Sequence, residues 1–473
     1  MTSWAIGARQ RGSLVEDEQV AAALAQVLTE HFGSDVRIEG LRRLSSGASR
    51  QSFEFTAVPR GEPEGVGLIL QAGHKPSAPS DLSSLGALSI TGEGRLIEAA
   101  ARAGVPVPEV LASGGTDGPM GRPCLVTVRL PGEALPTRLF RDPAYAPGVA
   151  RLTSDAANAL ARIHDISPEG MALPEGDQLA HERIVLDLLK ETRPILEHTY
   201  RWLGERRPLT EERGVVHGDF RLGNLLVDPT GLRAVLDWEL AHLGDPLEDV
   251  AWPMIRAWRF DKVRPPEAFP ERESWVAAYE AASGRAVDRE ALSWWEVALT
   301  FRWAVICLVQ AHRHLDGLTP SLELAVIGRR VFECEWDLLC LLGATEGLPE
   351  LAEPAGEGPH DSDLHGTSTK AVLVEAVRDM LASGIVAPPS GTARHQVRVA
   401  ANALGIVARE LDLGPDQEES HRQRLASLGV ESDADLAGAI RQGAFDGHGG
   451  LMEVLASDAR DRLLVANPAW LAN

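Results

Sequence analysis

The chain has 473 residues, 44% of them hydrophobic, and a formal net charge of −22, so it can bury a large core and we expect two or three domains. So acidic a chain without an evident basic face is not expected to bind nucleic acid, because phosphate binding needs clustered Lys and Arg. The longest apolar stretch, around Trp303 to Val309, is too short to cross a bilayer, and the N-terminus has no signal-peptide pattern; we therefore expect a soluble, cytoplasmic protein that does not bind membranes.

The first predicted elements are β-strands. Residues 37–58 indicate two strands around a loop of small residues, and residues 66–71 indicate a third strand. The loop lacks both glycine-rich phosphate-binding patterns, and hairpin loops rich in Gly and Ser are common. Its backbone amides could still cover nucleotide phosphates, and its place ahead of the residues described next supports that role. The candidate nucleotide-binding residues of the loop are Ser46, Gly47, Ala48 and Ser49.

A hairpin is predicted in the middle of the chain. Residues 225–227 and 232–236 are short β-prone runs, and the sequence Asp-Pro-Thr-Gly between them is typical of a turn. Antiparallel pairing brings Asn224, just before the first strand, beside Asp237, just after the second. Because Mg²⁺ prefers oxygen ligands and is usually held by few protein groups, we predict that Asn224 and Asp237 bind it.

The loop that enters this hairpin carries a candidate catalytic residue. Asp219 lies five residues before Asn224, where it could accept the proton of an attacking hydroxyl or orient that hydroxyl. An Asp followed by Asn at this spacing, and then by a later metal-binding Asp, is the arrangement of protein kinases. We expect His217 to support the loop through hydrogen bonds rather than to take part in the chemistry.

These motifs resemble those of a known family. Residues 217–224 (H-G-D-F-R-L-G-N) and 236–249 (L-D-W-E-L-A-H-L-G-D-P-L-E-D) are similar to the Brenner-type and metal-binding motifs of the aminoglycoside phosphotransferase superfamily. They resemble most its branch found fused to, or encoded beside, acyl-CoA dehydrogenases. The resemblance implies that Asp219 is the catalytic base and that Asn224 and Asp237 are the magnesium ligands, with ATP as the phosphoryl donor and a small-molecule hydroxyl as the acceptor.

The resemblance also implies a fold. It is an α+β, protein-kinase-like fold of two lobes, with a small β-rich N-lobe and a mostly helical C-lobe. By the same resemblance, Asp245 and Asp249 are expected to shape the loop and the helix start that follow Asp237.

Four further positions acquire roles from the family pattern. The third strand should carry a Lys or Arg that binds the α- and β-phosphates, but it ends in Gln71. Glu93 lies in a predicted helix, twelve residues before a Val-Pro-x-Pro turn, which is where related proteins place the glutamate that pairs with that cation. Thr127 and Val128 end another predicted strand and resemble the connector between the lobes, whose main chain would bind adenine.

The region after the hairpin is predicted to be helical and rich in tryptophan. Six of the eleven tryptophans fall between Trp252 and Trp303. We interpret them mainly as core residues, with a wide apolar acceptor pocket as the alternative. We interpret the four cysteines, which show no metal or redox spacing, as reduced core thiols. The basic residues nearby are expected to be solvated, the alternative being contact with an anionic group such as the phosphates of CoA: Arg256, Arg259, Lys262 and Arg264.

Composition and periodicity predict the domain organisation. We expect an N-lobe at residues 1–126, a C-lobe with the catalytic loop and acceptor subdomain at 127–343, a linker at 344–366 and a C-terminal all-α bundle at 367–473. The bundle resembles an uncharacterised helical domain found with these phosphotransferases. We expect it to serve in packing or dimerisation, with a lid or partner-docking role as the alternative.

Two functional classes follow from the sequence. The first is a Mg²⁺- and ATP-dependent small-molecule O-kinase whose acceptor is a hydroxyacyl-CoA or a related metabolite, or alternatively an aminoglycoside-like antibiotic. The second is a nucleotide-binding pseudokinase that acts as a scaffold or regulator. Gln71 supports this class, because loss of the phosphate-binding cation should weaken phosphoryl transfer more than nucleotide binding. The sequence does not distinguish ATP from GTP, nor a monomer from a homodimer.

Overall fold

The structure is a computed structural model that describes residues 18–44, 50–73, 87–209, 212–260, 269, 271–346, 370–382 and 391–471. The predicted phosphate loop at residues 45–49 lies outside this part of the chain. The chain folds into two compact units. The first contains residues 1–176 and 209–295, and the second contains residues 177–208 and 296–473.

The first unit begins with a helix, α1, at residues 18–32 and an antiparallel sheet of five strands in the order β1-β2-β3-β5-β4. These strands confirm the prediction of two strands in residues 37–58, one at 66–71 and one at the position of Thr127 and Val128. Their bounds are β1 Val36–Arg43, β2 Gln51–Pro59, β3 Val66–Ala72, β4 Val110–Gly114 and β5 Cys124–Val128.

One face of this sheet forms a hydrophobic core. Every second residue of β2 is buried, as expected for a strand with one covered face. Phe53 and Phe55 are paired with Leu70 and Leu68 of β3, and the buried side chains of α1 pack against this set. The opposite face, which carries Ser52 and its partner on β3, is therefore directed away from α1.

The next helix, α2 (Ile90–Arg102), covers part of that opposite face. Ser89 caps its N-terminus by accepting a hydrogen bond from the Gly92 N–H at 3.1 Å. Gly94 permits a close approach to the sheet, because a side chain there would meet Ser113 of β4 at 3.1 Å. This packing buries Glu93 on the inner side of the helix.

The remaining elements are mostly helical. Two antiparallel strand pairs, β6 (Gly214–Val216) with β9 (His242–Gly244) and β7 (Leu225–Asp228) with β8 (Gly231–Val235), belong to the first unit. The other helices are α3 Pro136–Leu139, α4 Ala146–Val149, α5 Leu152–His164, α6 Gln178–Leu189, α7 Pro194–Glu205, α8 Leu247–Ala251, α9 Arg272–Ser283, α10 Arg289–Leu315, α11 Leu322–Arg329, α12 Val331–Leu341, α13 Lys370–Ala382, α14 Gly391–Ser427, α15 Asp433–Arg441 and α16 Leu451–Ala466.

The second unit is helical throughout its described part. The C-terminal helices α14, α15 and α16 share a hydrophobic core with α7 and α12, which includes Ile195, Leu339, Leu436 and Leu455. Helices on both sides of residues 344–366 therefore pack together in this unit. The predicted domain boundaries at residues 126, 343 and 366 stay predictions.

The tryptophan-rich region supplies core residues. Trp252 and Trp275 are each 1% exposed, and Trp258, Trp294 and Trp295 are also buried, which agrees with our main interpretation of this region. Helix α10 is long and apolar enough to cross a membrane by length and composition alone, but 72% of its apolar window is buried within the protein, as in a core helix.

Two sets of polar residues differ from expectation. Cys340 is exposed, whereas Cys124, Cys307 and Cys334 are buried free thiols, so the prediction of a core thiol is wrong for Cys340. This residue lies in the last turn of α12, on the side that faces away from the buried Leu338 and Leu339. Arg256 and Arg259 are half-buried rather than solvated; Lys262 and Arg264 lie outside the described residues.

Candidate active site

The hairpin β7–β8 positions the two predicted metal ligands. Leu225 pairs with Val235 at the open end of the hairpin. Just beyond this pair, the Leu236 N–H donates to the Asn224 carbonyl oxygen at 2.8 Å. Asn224 therefore lies opposite the residue that precedes Asp237. Asp237 itself has a positive φ of 65°, a left-handed conformation that is uncommon for residues other than glycine, and the chain leaves the hairpin at this point.

Asp219 is held by two side chains of its own loop. Arg221 Nε donates to Asp219 Oδ1 at 2.6 Å, and Asn224 Nδ2 donates to Asp219 Oδ2 at 2.6 Å and to its carbonyl oxygen at 2.9 Å. The guanidinium of Arg221 also lies over the ring of Trp258, 3.7 Å from its centroid. Because the amide nitrogen of Asn224 is directed at Asp219, its amide oxygen is the atom that a metal ion could use.

His217 joins the loop to the hairpin. The Asp219 N–H donates to His217 Nδ1 at 3.2 Å, and His217 Nε2 lies 3.0 Å from the Leu236 carbonyl oxygen. A ring that accepts at Nδ1 and donates from Nε2 is a neutral imidazole. Complete burial lowers the pKa of His217 and so favours this form, although Asp249 and Asp219 oppose the shift.

Asp249 anchors the same loop from a distant part of the chain. Its carboxylate accepts the His217 N–H at 2.6 Å and the Gly218 N–H at 2.9 Å, and His164 Nε2 lies 3.3 Å away. Gly218 has a φ of 79°, and any side chain there would collide with the carbonyl oxygen of Leu240. The sequence assigned Asp249 only to shaping the following segment; its bonds to the catalytic loop are an additional finding.

Asp237 lies among several carboxylates. Burial raises the pKa of Asp237 well above its ordinary value, and Glu239, Asp219 and Glu93 raise it further. Such a concentration of negative charge is unfavourable unless a cation offsets it. The oxygen donors of Asn224 and Asp237 therefore fit a hard divalent cation such as Mg²⁺, both in ligand chemistry and in charge.

Glu93 has a basic partner that the sequence did not identify. Glu93 is 1% exposed and forms an ion pair with Arg50, whose Nε also lies 3.3 Å from Glu239 Oε2. The Trp238 N–H also donates to Glu93, which joins α2 directly to the segment that follows the hairpin. The available signal was the position of Arg50 immediately after the small-residue loop, but no local pattern connects it to Glu93.

The other predicted nucleotide-binding residues lie in the sheet. Gln71 pairs with Ser52 of β2 and with Leu125 of β5. Thr127 pairs with Ile69 and Val110, and the Val128 N–H donates to the Glu109 carbonyl oxygen at 2.9 Å. This amide is thus used within the protein, so an adenine ring would have to use other main-chain groups of the segment. Ser46, Gly47, Ala48 and Ser49 lie outside the described residues.

The small antiparallel sheet, the buried loop aspartate and the hairpin that presents Asn224 and Asp237 together have the organisation of a kinase-like phosphotransferase. Comparison with known proteins agrees. Residues 40–295 match the family model of the phosphotransferase enzyme family, and since this is more than half of the chain, the protein belongs to that family. Residues 388–470 match a domain of unknown function, DUF6285.

Individual relatives cover only parts of the chain. Acyl-CoA dehydrogenase family member 10 of Mus musculus is 33% identical over 192 residues, which are 37% of this chain and 17% of the mouse protein. Viomycin phosphotransferase of Streptomyces vinaceus is 29% identical over 158 residues, 31% of this chain and 55% of that enzyme. The chain thus spans about a sixth of the mouse protein and about half of the bacterial one.

A solved structure supports the fold. A Ralstonia eutropha protein assigned to the aminoglycoside phosphotransferases has a TM-score of 0.51 and 23% sequence identity, covering 66% of this chain and 95% of its own. The predicted kinase-like fold, with a β-rich N-terminal part and a largely helical remainder, is confirmed.

Proposed function

We propose that this phosphotransferase is a Mg²⁺- and ATP-dependent small-molecule kinase that phosphorylates a hydroxyl group beside Asp219. The observation that carries the proposal is the Asp219 carboxylate, fixed at 2.6 Å by both Arg221 and Asn224 and close enough to Asp237 to raise the pKa of that residue. A carboxylate held in this way can orient a nucleophile, and a second acidic group next to it can hold the metal.

The residues divide the reaction between them. Asp219 orients the acceptor hydroxyl and takes its proton as the hydroxyl oxygen forms a bond to the γ-phosphorus of ATP. The bond between that phosphorus and the oxygen bridging to the β-phosphate breaks, which gives a phosphate monoester and ADP. Asn224 and Asp237 would hold Mg²⁺, which offsets charge on the phosphates. His217 and Asp249 keep the backbone of the catalytic loop in place.

We favour a hydroxyacyl-CoA or a related anionic metabolite as the acceptor. Arg221, stacked on Trp258 next to Asp219, places a positive charge where the acceptor would lie, and such a group attracts anions and repels cations. The similarity to acyl-CoA dehydrogenase family member 10 agrees with this choice. The similarity to viomycin phosphotransferase, together with a net charge of −22, supports a cationic antibiotic as the alternative acceptor.

The pseudokinase alternative rests on Gln71. The buried pair of Arg50 and Glu93 weakens it, because a cation is present at the site although β3 does not supply it. We also propose that the C-terminal helices contact a second copy or a protein partner. The support is a set of half-exposed apolar side chains on α13 and α14, each 41–46% exposed: Val377, Met380, Val407 and Leu411.

The experiment is a phosphotransfer assay of the purified protein with ATP against hydroxyacyl-CoAs, hydroxy acids and cationic antibiotics. We expect transfer that requires Mg²⁺ and that Asp219→Asn reduces by about 10²–10⁴-fold without weakening nucleotide binding. Asp228→Asn, the same chemical change in the turn of the same hairpin, is the matched control, because the Asp228 carboxylate contacts Thr230 and Arg233 of that hairpin. A wild-type protein that binds ATP but transfers phosphate to no acceptor would favour the scaffold function.

A further inference from the structure

The site lacks a cation on the strand that would ordinarily provide one. A nucleoside triphosphate adds several negative charges to a site that already contains Glu93, Asp219, Asp237 and Glu239, and kinases offset that charge with a basic side chain paired to a helix glutamate. In this chain β3 presents Gln71, which is uncharged. Glu93 nevertheless lies buried on α2, so its partner must come from another element.

The sheet register places Arg50 where that partner is needed. Ser52 pairs with Gln71, and residues two apart on a strand share a face. Arg50, two residues before Ser52 and immediately before β2, continues this alternation towards the face of Gln71, where it meets Glu93 of α2. Its side chain is 11% exposed, so the guanidinium is directed into the protein rather than into solvent.

Two carboxylates fix the guanidinium in position. Among the described residues, Arg50 Nη1 pairs with Glu93, and Arg50 Nε lies 3.3 Å from Glu239 Oε2. Burial alone would lower the pKa of Arg50, but Glu93 and Glu239 outweigh it and raise the pKa above its ordinary value, so the group stays charged. A guanidinium has five N–H donors, and the ion pairs of Arg50 with described residues use Nη1 and Nε, so Nη2 can face an anionic ligand.

We propose that Arg50 binds the α- and β-phosphates of Mg·ATP, in place of the cation that β3 lacks, and that Glu93 orients it for this purpose. The inference rests on the proposed function, since it assigns the phosphate-binding residue of the same site. It also gives a role to the segment after the hairpin: Glu239, two residues beyond Asp237, contacts the same guanidinium, so the metal-binding and phosphate-binding parts of the site are joined.

The test compares nucleotides that differ in phosphate number. Titration calorimetry of Arg50→Met should show Mg·ATP and Mg·ADP affinities about 10–100-fold lower than in the wild type, with adenosine affinity unchanged, because only a phosphate contact distinguishes these ligands. Arg42→Met is the matched control: Arg42 lies on the neighbouring strand and pairs with Glu54, but its side chain is 69% exposed. It should leave all three affinities unchanged.

Second variants separate binding from folding. Arg50→Met leaves Glu93 buried without its cation, so the double variant Arg50→Met/Glu93→Gln removes both charges; it should be stably folded and still bind Mg·ATP weakly. Adding Gln71→Arg to Arg50→Met places a cation on β3 of the same face and should restore Mg·ATP affinity to within about tenfold of the wild type.

The outcomes distinguish the two proposals. If wild-type protein binds Mg·ATP and Arg50→Met binds it equally well, the assignment of Arg50 is wrong while the proposed function stands. Equal losses for ATP and adenosine, without recovery by Gln71→Arg, would give Arg50 a purely structural role and also overturn the assignment. A wild-type protein that binds no Mg·ATP at all refutes the proposed function and this inference together.

Discussion

Asp249 offers a direct test of how the catalytic loop is held. Its two oxygens accept the main-chain N–H groups of His217 and Gly218 at 2.6 and 2.9 Å, in a fully buried position. In Asp249→Asn, the remaining amide oxygen can still accept one of the two main-chain N–H groups. The side-chain NH₂ is itself a donor, so the other main-chain N–H loses its acceptor. A hydrogen bond to a charged group contributes about 1.5–3 kcal/mol, and an unsatisfied buried donor costs a comparable amount, so we expect the free energy of unfolding to fall by about 2–4 kcal/mol.

The same substitution should reduce catalysis more than binding. Asp219 lies next to the two residues that lose their anchor, and a displacement of a catalytic group by about 1 Å can cost about 10²-fold in rate. The assay is Mg·ATP-dependent phosphotransfer measured beside urea unfolding and nucleotide binding. Turnover should fall by about 10²-fold while the Kd for Mg·ATP changes by less than about threefold.

A nearby aspartate provides the control for lost stability. Asp245 is also buried and accepts hydrogen bonds from the Leu247 N–H at 2.9 Å and from Trp295 Nε1 at 3.1 Å, but it does not bond the catalytic loop. Asp245→Asn should lower stability and leave turnover near the wild-type value at a temperature where both are folded. If Asp249→Asn turns over as fast as Asp245→Asn, Asp249 does not position the loop.

Three further predictions concern the metal, pH and the second unit. Asp237→Ala should abolish the Mg²⁺-dependent part of ATP affinity without lowering the melting temperature, because it removes a half-buried carboxylate whose pKa is raised by desolvation and neighbouring acids. Calorimetry with and without EDTA measures this. Burial lowers the pKa of His217, so the stability that the neutral imidazole contributes is present above about pH 6.5 and is lost as the pH falls, by up to about 1.4 kcal/mol per pH unit. In urea unfolding between about pH 7 and 5, the free energy of unfolding should therefore decline less steeply in His217→Gln than in the wild type. Parallel pH curves would contradict this. Leu436→Ala, in a core shared with Ile195 and Leu339, should cost about 2–5 kcal/mol, whereas Leu322→Ala at a 47% exposed position should change stability little.

The hairpin was predictable because its determinants are local. The Asp-Pro-Thr-Gly turn and the two β-prone runs occupy residues 225–236, and antiparallel pairing then fixes which residues meet at the open end. Asn224 and Asp237 follow from that register. Their assignment as metal ligands stays a prediction, supported by the carboxylates that surround Asp237.

The contacts of Arg50 and Asp249 depend on distant parts of the chain. Arg50 and Glu93 are 43 residues apart, and Asp249 is 32 residues from His217. Pairing of the first two requires the register of β2 against β3 and the docking of α2 on the same face, neither of which leaves a periodic pattern in the sequence. The family pattern requires a cation near Glu93, but the sequence has Gln71 at the expected position on β3. Only the fold could show that Arg50, immediately before β2, pairs with Glu93.

The balance of charge in the site links metal binding to nucleotide binding. Four carboxylates, Glu93, Asp219, Asp237 and Glu239, act on one another there, against two guanidinium groups, Arg50 and Arg221. With all six groups ionised, these described residues carry two excess negative charges, and each arginine is already paired with a carboxylate. Free ATP would therefore enter a negative field that two paired cations offset only in part. A divalent cation would neutralise the two excess negative charges. Metal and triphosphate should therefore bind this site cooperatively, each strengthening the affinity for the other by the same factor.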